Sequence, residues 1–224
     1  MATNQSLGQA SEVATSWTLS TAVEKMTEAP EVIMLKIGEY ETSIHKSLLI
    51  HFSEYYRLTL CGPFLEATTQ QVDPIDDLFD KTTLQTFIGW IYTGETNFDA
   101  TDVLHITSAV ELYIFADRYA IPALRQILLQ WLNDSHDPTS TSYQDVPLPP
   151  QAAVVLAFDN LPEKDDLCIA LAHIYARAWV PAKEVALIGY PAAFGHLVVP
   201  LTAKLRTEFW RSRLDPDEDD FMFA

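Results

Sequence analysis

Residues 38 to 69, GEYETSIHKSLLIHFSEYYRLTLCGPFLEATT, hold His45, His51, Ser43, Ser47 and Cys61 within a short span. Those side chains could build a Ser–His or Cys–His nucleophile pair, or part of a metal site. Their spacing argues against each. His45 and His51 are six residues apart, and at about 100° per residue on a helix they point away from one another, unlike i,i+4 ligands of a shared metal. Ser43 and Ser47 each lie two residues from His45, but no G-x-S-x-G elbow surrounds either one. His45 instead reads as a histidine that satisfies backbone groups where a hairpin enters a helix. Cys61, next to Gly62-Pro63, is a reactive thiol only if a helix end or a base lowers its pKa, and it is expected to be buried and inert. Elsewhere, Asp76-Asp77 and Asp165-Asp166 resemble helix caps more than carboxylate dyads. No P-loop, Rossmann glycine pattern or H-E-x-x-H occurs, so nothing recruits a cofactor or a metal.

The chain that must position these residues has 224 of them, enough for one ordinary domain and a smaller appendage. It is 48% hydrophobic and 20% charged, which supports a sizeable core. Lys and Arg number 14 against 31 Asp and Glu, a net charge of -17 that repels polyanions, so direct nucleic-acid binding is not expected. The scattered Lys204, Arg206, Arg211 and Arg213 read as a solvated helix face that balances the acidic tail. Cys61 and Cys168 make neither a disulfide framework nor a metal spacing, which suits a reducing compartment. The N-terminus has no signal-peptide pattern and no apolar run reaches about 18 residues, so a cytoplasmic or nuclear protein, neither secreted nor membrane-spanning, is expected.

Along the chain, residues 1–28 read as a flexible arm with a short helix around 19–26, for which Ser20 is a candidate N-cap. EVIMLKIGEYETSI reads as two strands joined at Gly38-Glu39, and QQVDPID as a brief third strand or a loop. Leu48, Leu49, Phe52, Tyr55 and Tyr56 recur at helical spacing, with Ser53 capping the hand-over between two short helices that Gly62-Pro63 then stops. Three helices follow. The first ends at Thr93-Gly94, the second is entered through Asp99 or Thr101, and the third has Pro122 in its tolerated first position. Residues 135–150 read as a Pro/Ser/Thr-rich linker, 151–214 as helical with Leu167, Leu171, Ile174 and Ala178 on one face, and 215–224, DPDEDDFMFA, as an acidic tail with an apolar tip.

Taken together, EVIMLKIG, YETSIHKSLLIHFSEYY, GPFLEA, FIGWIYTGE and ADRYAIPAL resemble a BTB/POZ domain over 29–134, in that family's order and spacing. The phrasing GPFLEA followed by TFIGWIYTGE is most similar to compact fungal members. The resemblance implies an α+β fold, a helical core with a small three-stranded sheet, followed here by a helical C-terminal segment. It also implies protein–protein contact rather than catalysis, with His45 and Ser53 at packing positions.

Two site assignments come with that likeness. An acidic residue at the start of the first strand and the basic residue after the signature histidine form a charged pocket at the dimer interface of many members. Glu31 and Lys46 hold those positions. Adaptor members present a hydrophobic-x-Glu motif to a cullin ubiquitin-ligase scaffold, and Phe64-Leu65-Glu66 fits it. The implied function is a self-associating or partner-docking module. A cullin-type ligase adaptor is the alternative and a transcription-associated scaffold a further one.

Overall fold

The β-hairpin follows from alternation. In the computed structural model, which describes residues 13–63, 65–69, 72–76, 78–139, 146–179 and 187–211, strand β1 (Val32–Ile37) turns Ile33, Leu35 and Ile37 into the core and leaves Val32, Met34 and Lys36 outside. It pairs antiparallel with β2 (Tyr40–His45) in the register Met34 to Ser43 and Ile37 to Tyr40. Gly38, first of the two loop residues, has φ +53°, the left-handed region that a tight hairpin requires and that glycine adopts without cost.

Among the described residues the sheet has two strands rather than three. The expected third strand survives as one ladder bond, from the Ile75 N–H to the Lys36 carbonyl at 2.7 Å. Pro74 beside it has no N–H to donate, so a regular ladder cannot continue. The α+β fold class stands.

The chain divides into two units, one of 1–96 with 115–126 and one of 97–114 with 127–224. In the first, α1 (Leu19–Glu28) packs on α2 (Lys46–Phe52) and α5 (Lys81–Thr93) and fully buries Ala22. Its N-cap is Thr18, whose side chain accepts from the Thr21 N–H, and not Ser20. The Trp17 indole donates to the Ile91 carbonyl at 3.1 Å, and the Ala14 N–H donates to the His51 carbonyl at 3.0 Å. The flexible arm expected over 1–28 is therefore corrected for 13–28, which is held by a buried alanine and two long-range hydrogen bonds.

Ser53 passes the chain from α2 to α3 (Glu54–Cys61). A short α4 (Leu65–Thr69) follows. Asp80 caps α5 through the Thr83 N–H, and Gly94 ends it at φ +77°. The entry to α6 (Val103–Arg118) is made by Asp102, whose carboxylate accepts from the Leu104 N–H at 2.8 Å. Asp99 and Thr101, the expected caps, instead bond to each other in the preceding turn. Pro122 opens α7 (Pro122–Ser135), and the first unit's aromatic core contains Phe52, Tyr56, Phe87, Trp90 and Phe115.

In the second unit α8 (Gln151–Asn160), α9 (Asp166–Trp179) and α10 (Ala192–Arg211) pack around Val154, Ala172, Tyr175, Ala176, Phe194 and Val198. The described parts of the expected linker are tied down. The two ring nitrogens of buried His136 lie 2.9 Å from the Leu132 carbonyl and 3.1 Å from the Pro147 carbonyl, and the Tyr175 hydroxyl donates to the Pro149 carbonyl.

Candidate functional site

Of the residues in the reactive-looking stretch, His45 and Ser53 are engaged as structural groups. His45 Nδ1 lies 2.8 Å from the Tyr92 hydroxyl, which also accepts from the His45 backbone N–H at 3.1 Å. One tyrosine oxygen therefore fixes both the imidazole and the peptide at the point where β2 becomes α2. Ser53 is 1% exposed. Its hydroxyl donates to the Tyr119 carbonyl at 2.6 Å while accepting from the Tyr56 N–H at 3.1 Å, so its one proton is committed and the group is closed to solvent. Ser43 points outward from β2, and the Ser47 hydroxyl is buried in α2.

His51 is half-buried edge-on against Phe52. Desolvation, followed by the nearby Lys25 ammonium, holds its pKa below the ordinary histidine value. Cys61 corrects the expectation of a buried thiol, because the end of α3 leaves it exposed. Cys168 is the buried cysteine. Desolvation, then Asp165 and Glu163, push its thiol up to about 12, so it stays protonated and unreactive at neutral pH.

The assigned surface residues fall on the first unit. Glu31 and Lys46 do meet, and they do so within one chain. The Lys46 N–H donates to the Glu31 carbonyl at 2.9 Å and its ammonium lies 3.4 Å from the Glu31 carboxylate. The Lys46 side chain is mostly covered, at 18% exposure, whereas that of Glu31 is 69% exposed. Beside this pair in sequence, Val32 and Met34 project from β1 at 56% and 53% exposure, and on α1 Leu19 and Val23 share an outward face. Glu66 stands partly buried in the first turn of α4. Phe64 lies outside the described residues.

Sequence reasoning missed Tyr92 and Trp17. Both act on partners that chain order hides, 47 and 74 residues away. Among the described residues there is no group of three or more His, Cys, Asp or Glu side chains suited to a metal ion, and no helix is long and apolar enough to cross a membrane.

An antiparallel hairpin feeding a capped helical pair, the paired Glu31 and Lys46, and exposed apolar residues on β1 describe a domain built to present a surface. Residues 32–136 match the family model of the BTB/POZ domain, a protein–protein interaction module. It is also 31% identical over 75 residues to Kelch-like protein 38 of Mus musculus. That match takes in 34% of this chain and 13% of the mouse protein.

Proposed function

We propose that the chain works as a non-catalytic scaffold that self-associates through the outer face of β1 and the Glu31–Lys46 pair. The observation that carries this reading is the double exposure of Val32 and Met34, each more than half open next to a charged pair. Alternate residues of a strand share a face, so the two form one apolar strip, and apolar area left in water favours association. Light scattering across a concentration series tests the reading. A mass that rises to twice the 25.2 kDa chain, and falls back for Met34→Arg, is the expected result. A monomer at every concentration contradicts it. The compact fungal-type likeness of 62–67 and 86–95 and the division into a BTB/POZ domain over 29–134 and a helical region over 151–214 belong to the same proposal, while residues 1–12 of the arm expected over 1–28 lie outside the described residues.

A second reading, adaptor of a cullin-type ubiquitin ligase, is favoured by the likeness to a kelch-like protein and by the position of Glu66 in the first turn of α4. Phe64 would be the apolar anchor and Glu66 the rim carboxylate. Pull-down with a cullin scaffold should be lost in the double variant Phe64→Ala, Glu66→Ala. Retained binding would remove the motif.

A further inference from the structure

The second unit carries an open apolar groove of about 560 Å³, lined by Leu187, Tyr190, Pro191, His196, Val199 and Pro200 among others. Val199 is half exposed, and Ile188, next to Leu187 in the chain, is 90% exposed. Pro200 has no N–H, so the His196 carbonyl lacks its intrahelical donor beside the groove. On a 3.6-residue helix His196, Pro200, Lys204, Thr207 and Arg211 fall on one face of α10, so the apolar groove continues into a basic stripe towards the helix end. Lys204 and Arg211 are exposed and enter no ion pair among the described residues.

The sequence that follows has the complementary order. Beyond Arg211 come Asp215, Asp217, Glu218, Asp219 and Asp220, five acidic residues, and then Phe221, Met222 and Phe223. A chain that doubles back along α10 meets Arg211 and Lys204 with its carboxylates before its aromatic residues arrive at Val199 and Pro200. Reach permits this. From Arg211 back to Pro200 is roughly 17 Å at 1.5 Å per residue, and the ten residues from Arg211 to Phe221 extend to roughly 33 Å.

We propose that residues 215–224 of this chain occupy the α10 groove, with Phe221 and Phe223 in the apolar part and the acidic run on Lys204 and Arg211. The tail then acts as an internal ligand that a competing partner of like chemistry, acidic residues followed by aromatics, must displace. This proposal is independent of the self-association reading, which concerns the other unit. Tethering places the tail at an effective concentration near millimolar, so a modest intrinsic affinity suffices to keep the groove filled.

The test uses the full chain and a fluorescein-labelled peptide of residues 212–224, read by anisotropy. The peptide should bind the full-length variant Phe221→Ser, Phe223→Ser, whose groove is vacated. Wild type should bind it at least tenfold more weakly, and binding to the variant should weaken as salt rises. Adding Val199→Glu, a change at a half-exposed position, should abolish binding to the variant. Should that substitution unfold the chain, a labelled peptide carrying Phe221→Ser and Phe223→Ser does the same work by failing to bind. Equal binding to wild type and variant, binding by the serine peptide, or no binding to either chain would overturn the proposal. Wild-type resistance that disappears on dilution would place the tail in another copy and overturn it equally.

Discussion

The two units differ in the surfaces they leave open to solvent. In the first, Ser53, His45 and Trp17 reach main-chain or tyrosine partners far along the sequence and hold the hairpin and helices together. In the second, Tyr175 packs edge to face on Trp179, Tyr190 and Phe194, and Tyr190, stacked on Phe194, also lines a groove left open to solvent. Hydrogen-bonding side chains with distant partners therefore hold the scaffold here. The surfaces proposed to meet other molecules are the apolar strip beside the Glu31–Lys46 pair on β1 and the groove along α10.

Substitutions can break that contrast, beginning with the core. Phe194→Ala removes a fully buried ring and should cost about 3–5 kcal/mol. Hydrogen exchange should rise more in α8, α9 and α10 than in β1 and β2. An equal rise in both would deny that the two cores are separate. Gly94→Ala comes next, because φ +77° disfavours any Cβ and the added carbon would stand 2.4 Å from the Trp17 ring. A loss of about 2 kcal/mol in unfolding free energy, read from a denaturant titration, is expected, with quenched or shifted Trp17 fluorescence as the ring is displaced. Ser53→Ala should cost about 1–2 kcal/mol through the lost cap and the orphaned Tyr119 carbonyl. A neutral result would contradict the cap.

Much of the first unit was legible because its signals are local. Alternation in EVIMLKIG, a glycine at the hairpin turn, Ser53 between two helices, Gly94 at a stop and Pro122 at a start each act within four residues. What escaped depends on distant partners. Trp17 looked like part of a flexible arm because Ile91 and Gly94 lie far along the chain, and His136 gave no sign that it would clamp Pro147. The third strand failed for a local reason, the proline at 74, that was present in the sequence and read as a turn signal only. Cys61 was expected to be buried although it stands at the end of a helix whose neighbour, Leu58, is also exposed.

Smallest of the stability effects is the response to acid. His51 and His173 are both held below the ordinary histidine value, chiefly by burial, so the unfolded chain binds protons more readily than the folded one near pH 6.5. Their contribution is complete above that pH and is lost as pH falls below it. Thermal scans from pH 7.5 to 5.5 should show declining stability that His51→Gln partly flattens, and an unchanged slope in that variant would remove His51 from the account.

The central claim is that the surface at the start of β1, and not the histidines and serines around it, carries the function. The most direct test is the mass by light scattering of wild type, Lys46→Glu, and the swap Glu31→Lys with Lys46→Glu. The ion pair is exposed on its Glu31 side and contributes only about 0–1 kcal/mol, so all three should fold. The account predicts a dimer for wild type, a monomer for the single reversal and recovery of the dimer in the swap. A wild-type monomer, or a dimer that ignores the reversal, would contradict it.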